Sequence, residues 1–391
     1  MGEVRLKDIA EKAGVSIMTV SNVINGKHDR VSAKTIEKVN ALIKEYDYVP
    51  NLSARSLTNK VSNIIGIIIS PFHTGEEFNH LENPYISAML GTIEMELRKS
   101  GYFTMLRSVT NKSDIISLIK NWNVDGIIFL YPEALEYIQS FKELLKCPIA
   151  IFDCDMKVPD IINVATDDWH GLYLATRYMV SHGHTHIAFV SDPENNPLIT
   201  RRFEGYRSAL RECGIPFRPE YVYPYPPTYE GGLEAGKAIS LSENEITAAV
   251  TTADIAAIGV MEGARLGGYR VPVDLSVIGY DNLPICQYTT PKLTSISQHL
   301  DQKARQCTRL LLEKIKTGTT STPSKIIMGV ELVERQSVIS LLEVWAKIFL
   351  FAPLMEAAQI TVKRTSTKRA LHIFTCSSSS FMICPKALTE K

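Results

Sequence analysis

Two pairs of carboxylates are the residues of this sequence that most suggest enzyme chemistry. Asp153 with Asp155, and Asp167 with Asp168, resemble the two carboxylates that flank one glycosidic bond in a glycoside hydrolase. Nothing around either pair supplies the apolar environment that a general acid requires. We therefore expect these residues to bind hydroxyl groups of a ligand rather than to hydrolyse a sugar.

Three histidines, His182, His184 and His186, lie within five residues and suggest a metal site. Gly183 is a suitable C-cap for a helix, however, and His182 suits the negative end of a helix. We interpret the run as structural and predict no metal. A phosphate-binding loop with its lysine and a Gly-x-Ser-x-Gly elbow are both missing from the sequence, so we predict neither enzymatic activity nor a cofactor.

Charge and cysteine content restrict the cellular setting of the chain. The 391 residues hold 42 Lys and Arg against 42 Asp and Glu, but residues 1–60 hold 10 basic and 7 acidic side chains and are the better surface for a polyanion. The seven cysteines form no Cys-x-x-Cys pair, and we find neither a signal peptide nor a membrane-spanning run. We predict a cytoplasmic, membrane-free protein of two or three domains.

The first 50 residues predict three short helices. A first apolar stripe ends at Gly14, a typical left-handed terminus, and Ser16 is a suitable N-cap for a second helix. Ser32 begins a third helix. The apolar stripes are Val20, Val23 and Ile24 in the second helix and Ile36, Val39, Ile43 and Tyr46 in the third. This pattern is typical of a helix-turn-helix, whose second helix fits the major groove of DNA.

Four blocks of sequence match a known family in order and spacing. They read Leu-Lys-Asp-Ile-Ala-Glu-Lys-Ala-Gly-Val-Ser, Thr-Val-Ser-Asn-Val-Ile-Asn, Val-Ser-Ala-Lys-Thr and Tyr-Val-Pro-Asn-Leu-Ser-Ala-Arg-Ser-Leu. Over residues 6–57 the chain strongly resembles the lactose-repressor (LacI/GalR) family. The resemblance implies a repressor that binds pseudo-palindromic, double-stranded operator DNA as a homodimer and is controlled by a small sugar-like effector.

The resemblance also assigns the residues that contact DNA. They are Leu6, Ser16, Ile17, Met18, Ser21, Asn22, Asn25, Arg30, Ser32, Asn51, Ala54 and Leu57. The family commonly has Arg where this chain has Asn22, and because Asn pairs best with adenine we predict an atypical operator. Ile17 and Met18 suit thymine methyl groups, with burial against a neighbouring helix as the alternative.

Residues 51–60 are predicted to be a hinge that becomes helical only when paired on DNA, because the segment is too short to be a stable helix alone. By resemblance, two copies lie in the minor groove, and Leu57 inserts into the central base step. The alternative is that Leu57 packs on the next domain.

Residues 61–338 alternate apolar runs with amphipathic stretches, which predicts doubly wound α/β lobes. The predicted strands lie near residues 63–70, 102–106, 126–130, 149–152, 187–190, 248–252 and 277–280. The length suits two lobes, the first ending near residue 165 and the second near 290. With the resemblance, the predicted fold is an all-α helix-turn-helix DNA-binding domain (1–50) plus an α/β two-lobed periplasmic-binding-protein-like domain.

Ligands of doubly wound sheets bind beyond the carboxyl ends of the strands. This rule and the resemblance select the effector-binding candidates Ser70, Phe72, His73, Arg107, Tyr131, Asp153, Arg202, Tyr229 and Asp281, with Asp168 beside them. Aromatic rings, carboxylates and guanidinium groups together suit a polar ring such as a sugar. The family often has Asn at the position of Ala253, so the identity of the sugar stays open.

Residues 339–391 depart from the family pattern. Pro353 and the lack of heptads argue against a tetramerisation helix, and the Lys, Arg and Ser clusters further on indicate either disorder or translation past a shifted reading frame. Two alternatives for the whole chain stay open. One is a regulator with a vestigial pocket that responds to a protein partner, and the other is a sugar-binding transport module.

Overall fold

The computed structural model describes residues 4–24, 26–48, 62–69, 80–109, 123–130, 147–154, 160–194, 196–320 and 325–343. Its contacts divide the chain into two units. The first comprises Met1–Ile64 with Trp122–Asp125, and the second comprises Ile65–Asn121 with Gly126–Lys391.

The first unit contains the three predicted helices, α1 (Leu6–Ala13), α2 (Ile17–Ile24) and α3 (Ala33–Glu45). Gly14 ends α1 with a φ of 68°, and the Val15 amide then donates to Ala10, so the chain turns tightly into α2. The three stripes meet in one core of Ile9, Ala10, Ala13, Val20, Val23 and Val39.

The prediction that Tyr46 belongs to this core is wrong. Tyr46 lies just beyond α3, where the ammonium of Lys12 sits 4.0 Å above its ring and hydrogen-bonds its hydroxyl. Leu42 and Tyr48 pack against the core instead. The contact with Lys12 gives this half-buried ring a partner outside the core, which an apolar-stripe argument does not anticipate.

The second unit is built on two six-stranded sheets. The first sheet has the order β11-β5-β4-β3-β1-β2, and the second has the order β12-β10-β9-β8-β6-β7. The strands are β1 (Ile64–Ile69), β2 (Phe103–Ser108), β3 (Gly126–Leu130), β4 (Ile149–Phe152), β5 (Ile161–Thr166), β6 (Ile187–Val190), β7 (Val222–Tyr223), β8 (Ala248–Thr251), β9 (Ser276–Asp281), β10 (Thr294–Ser297), β11 (Lys325–Met328) and β12 (Glu331–Val333). β12 is antiparallel to β10, whereas β1, β3, β4, β5 and β11 pair in parallel.

The helices of this unit cover the sheets. They are α4 (Pro84–Lys99), α5 (Asp168–Ser181), α6 (Pro197–Glu212), α7 (Tyr229–Leu241), α8 (Asp254–Leu266) and α9 (Leu300–Thr317). Ile86, Met89 and Ile93 of α4 pack with the first sheet, together with Ala304 and Leu311 of α9. Helices α5 and α6 pack on one face of the second sheet, and α7 and α8 pack on the other.

The chain crosses between the sheets three times. It leaves the first sheet after Thr166, returns at Gln298 between β10 and α9, and crosses again between β11 and β12. The first crossing matches the predicted end of the first lobe. The predicted return near residue 290 is too early, because the unforeseen strand β10 extends the second sheet to Ser297.

The described beginning of the predicted tail is docked on the second lobe. The Ile339 amide donates to Ser276 Oγ, and the Leu341 amide donates to the His182 carbonyl. Residues 344–391 lie outside the described part. Within the described part, no helix is long and apolar enough to cross a membrane.

Candidate DNA-binding and effector-binding sites

The start of α2 presents two apolar side chains to solvent. Ser16 Oγ accepts the Thr19 amide at 3.1 Å, which caps the helix and fixes its first turn. Ile17 is 48% exposed and Met18 is 68% exposed, so neither side chain belongs to the buried core, and the alternative of partial burial against a neighbouring helix stays open for Ile17. Adjacent exposed apolar side chains at a capped helix start suit contact with thymine methyl groups in a major groove.

The other predicted DNA contacts have mixed surroundings. Ser21 and Asn22 are half-buried on α2, Leu6 packs against the core, and Ser32 caps α3 by accepting the Thr35 amide at 3.3 Å. The predicted contacts outside the described residues are Asn25, Asn51, Ala54 and Leu57, together with the side chain of Arg30.

Several predicted effector residues are outside the described part or lie away from the buried polar residues described below. Those outside the described part are Ser70, Phe72, His73 and Tyr131. The prediction placed Arg107 after the second strand, but β2 continues to Ser108, so Arg107 is an exposed residue within an edge strand. Tyr229 begins α7 and is half-buried.

Arg202 and Asp168 form a buried ion pair at the carboxyl edge of the second sheet. Two guanidinium nitrogens of Arg202, on α6, donate to Asp168 Oδ1 at 2.8 and 2.7 Å. A third donates to the Thr252 carbonyl at 2.6 Å, and the guanidinium stacks 3.7 Å above the ring of Tyr280. The predicted ligand-binding arginine is therefore already neutralised and held by the protein.

Asp153 is neutralised in the same way by a lysine that sequence reasoning missed. The fully buried Lys303 Nζ donates to both carboxylate oxygens, at 2.6 and 2.5 Å. Asp153 also accepts the Tyr85 hydroxyl at 2.9 Å and the Thr166 amide at 3.0 Å. Lys303 stands one helical turn before the buried Cys307 on α9, so a lysine in an apolar stripe was the available signal.

Asp281 is a buried carboxyl that forms no ion pair among the described residues, and Asp254 is another. Asp281 ends β9 with a φ of 117°, and its Oδ1 accepts Gln298 Nε2 at 2.5 Å. Burial raises the pKa of Asp281 well above its usual range, and the charge of Asp254 adds to this shift. Asp254 shapes the following loop by accepting the Leu283 amide at 2.7 Å and the Ser295 hydroxyl at 2.5 Å.

Two buried hydroxyls have no hydrogen-bond partner among the described residues. They belong to Ser191, which follows β6, and Thr252, which follows β8. Both obey the strand-end rule, so the sequence signal was available although neither residue was selected. Because an unmet buried hydroxyl costs free energy, these two groups suit a ligand that supplies the missing partner.

The histidine run is structural in the described part. His184 is buried between the Thr247 hydroxyl and the Ile339 carbonyl, and His182 contacts the Tyr178 carbonyl at 2.9 Å. No group of three side chains able to hold a metal ion lies among the residues that the structure describes.

Two α/β lobes, between which the chain crosses three times, carry polar groups at the ends of their strands and define a ligand-binding domain of the periplasmic-binding-protein type. A helix-turn-helix precedes this domain in the chain. Family models agree with this class. Residues 5–51 match "Bacterial regulatory proteins, lacI family", and residues 176–338 match "Periplasmic binding protein-like domain".

The chain belongs to the lacI family of bacterial regulatory proteins. It is 33% identical over 344 residues to the HTH-type transcriptional repressor PurR of Pasteurella multocida, which covers 85% of this chain and 98% of the relative. The lac repressor dimer bound to operator and the anti-inducer ONPF aligns with a TM-score of 0.75 at 26% identity, over 86% of this chain and all of that one. The transcriptional regulator CelR–cellobiose complex aligns with a TM-score of 0.63 at 26% identity, over 85% of this chain and 99% of that one.

These comparisons confirm the family resemblance and the predicted fold class. They also confirm that the chain is a DNA-binding transcription regulator and not an enzyme, because the relatives are transcription regulators and the chain matches them over almost their whole length.

Proposed function

We propose that this protein is a cytoplasmic repressor that binds a pseudo-palindromic operator as a homodimer. A small sugar-like effector lowers or raises its affinity for that operator. The DNA-binding domain is assigned to residues 1–50, the hinge to 51–60, and the effector-binding and dimerisation domain to 61–338. The observation that carries the proposal is the capped start of α2 with Ile17 and Met18 exposed. Effector binding closes the lobes, changes the separation of the two hinges and shifts their helical, DNA-bound form.

Selection of binding sites from random DNA tests the operator assignment. Asn22→Arg should replace adenine by guanine at one position of each half-site, because a guanidinium bonds guanine O6 and N7. Asn40→Arg adds the same charge on the exposed surface of α3 and should leave the selected sequence unchanged. Leu57→Ala should weaken binding with little change in half-site sequence. An identical selected sequence for wild type and Asn22→Arg would show that α2 does not read bases.

The effector site is assigned to the carboxyl edge of the second sheet. Support comes from Asp281 Oδ2 and the hydroxyls of Ser191 and Thr252, three groups that have no hydrogen-bond partner among the described residues and can bind a polar ligand. The CelR structure, with its bound cellobiose, shows that a relative of this fold takes a sugar. A neutral, hydroxyl-rich ring is the ligand class that these groups match.

Thermal-shift measurements with cellobiose, other sugars and nucleosides test this assignment. A ligand at a hundred times its Kd should stabilise the protein by about 2.7 kcal/mol, and Asp281→Asn should reduce the shift. The vestigial-pocket alternative draws support from the internal pairing of Arg202 with Asp168 and of Lys303 with Asp153. A panel without any stabilising compound would favour that alternative.

Dimerisation is assigned in part to β2, an edge strand of the first sheet. Phe103 is 54% exposed and Leu106 is 37% exposed there, and apolar side chains on an unpaired edge favour contact with a second copy. Sedimentation should show wild-type dimers and Phe103→Glu monomers. Leu241→Glu, which places the same charge at an exposed apolar position on α7, should remain dimeric.

A further inference from the structure

The side-chain amide of Gln298 joins the two lobes of the second unit. Gln298 lies where the chain crosses from β10 to α9. Its Nε2 donates to Asp281 Oδ1 of the second lobe at 2.5 Å. Its Oε1 accepts the Thr166 hydroxyl at 3.0 Å and Lys303 Nζ at 3.3 Å, both from the first lobe. The NH₂ group of this amide therefore contacts the second lobe, and its oxygen contacts the first.

The orientation of this amide is determined by charge. Rotating it by half a turn would place the amide NH₂ against the Lys303 ammonium, two donors facing each other, and would remove the hydrogen bond that Asp281 Oδ1 accepts. Lys303 cannot yield, because its side chain is fully buried and paired with Asp153. Gln298 consequently presents a fixed donor to Asp281.

This donor leaves one oxygen of Asp281 for a ligand. Oδ1 is taken by Gln298, and Oδ2 makes no hydrogen bond within the described part of the chain. We propose that Gln298 is a positioning residue, anchored on the first lobe, that orients Asp281 for the effector and thereby couples the arrangement of the lobes to effector affinity. The proposal rests on the effector site assigned above. Since coupling is reciprocal, an effector held by Asp281 also strengthens the link between the lobes.

Hydrogen exchange of the ligand-free protein tests the link directly. The Asp167 amide donates to the Met328 carbonyl at 3.0 Å and so reports on two of the three crossings. Gln298→Leu and Gln298→Glu should each speed its exchange about tenfold, the effect of losing one hydrogen bond to a charged group. Gln302→Glu, the same change on the exposed face of α9, should not alter it.

A polarity swap separates the specific link from a general loss of packing. In Gln298→Glu with Asp281→Asn, the new amide at 281 can donate to the new carboxylate, which still accepts from Lys303, so exchange should return close to the wild-type rate. Asp281→Asn should not rescue Gln298→Leu. The proposal would be overturned if the Asp167 amide exchanged at the wild-type rate in both single variants of Gln298. It would also be overturned if this amide exchanged as fast in the double variant as in Gln298→Glu.

The orientation of Asp281 has its own readout, ¹³C NMR titration of aspartate-labelled protein. The hydrogen bond from Gln298 lowers the pKa of Asp281, so Gln298→Leu should raise it. Thr166→Val should also raise it, by a smaller amount, although Thr166 does not touch Asp281. An unchanged pKa in both variants contradicts the positioning role. Failure of the wild type to bind any selected DNA would instead refute the proposed function and leave these results standing.

Discussion

Lowering the pH should weaken the fold through His184, an imidazole whose burial disfavours its protonated form. Its Nε2 lies 3.0 Å from the Ile339 carbonyl and must carry the hydrogen, so its Nδ1 accepts the Thr247 hydroxyl at 2.9 Å. Burial lowers the pKa of His184 from 6.5 to about 4. Protonation would place a positive charge on a buried ring that has lost its hydration, and this cost opposes the packing of the ring against Ile339.

The sign follows from proton linkage. Above pH 6.5 the ring is neutral in both folded and unfolded states, and below that pH the unfolded state binds the proton first. Stability is therefore present above the unfolded pKa and is lost as the pH falls toward the folded pKa. The loss from this group is about 2 kcal/mol between pH 8 and pH 5, approaching about 3 kcal/mol below pH 4.

Urea unfolding of wild type and His184→Gln at pH 8 and pH 5 isolates this contribution. Glutamine can still donate to Ile339 but never ionises in this range. Asp254, whose pKa burial raises to about 6, and Asp281 act with the opposite sign, because their folded states bind the proton first. Taking the difference between the two proteins at each pH cancels these carboxyls. Between pH 8 and pH 5, the free energy of unfolding of the wild type should fall by about 2 kcal/mol relative to that of His184→Gln. A difference between the two proteins that stays constant with pH would refute the reasoning.

Further predictions concern packing and the buried ion pair. Gly263→Ala should destabilise the second lobe by about 1–3 kcal/mol in urea unfolding, because its Cβ would lie 2.1 Å from the Leu233 carbonyl oxygen, a backbone atom that cannot move aside cheaply. Gly91→Ala, in α4 with open space around it, should instead stabilise by about 0.5–1 kcal/mol. Arg202→Met should cost about 3–5 kcal/mol by leaving the Asp168 carboxylate buried and unpaired, and adding Asp168→Leu should recover most of that loss.

The strands that could be predicted are those with uninterrupted apolar runs. Gly126–Leu130 and Ile149–Phe152 were predicted with their correct ends because each is buried on both faces. β5 was missed although it is equally buried, since Asn163 interrupts its run. The structure satisfies that amide with the backbone of Cys154. β10 was missed for a similar reason, as Ser295 reads as a surface residue until Asp254 is seen to accept its hydroxyl.

For the candidate effector site, the sequence predicted only which residues follow the carboxyl ends of the strands. That rule selected Asp153 and Asp281, which the structure shows at the ends of β4 and β9 with positive φ angles. It could not foresee Lys303 and Gln298, because both partners come from beyond residue 297 and reach these carboxyls only after the chain has crossed between sheets. Their contribution is a tertiary property with no local pattern.

The pairing of these groups determines what a ligand can add. Asp153 and Asp168 each have a buried cation, so a ligand competing for either would have to break an ion pair that the protein has already desolvated. Among the described residues Asp281 has only a neutral amide as its side-chain partner, so a ligand that contacts its other oxygen breaks no ion pair. Of the three predicted effector carboxyls, Asp281 is therefore the one that a ligand could contact without breaking an ion pair of the described residues.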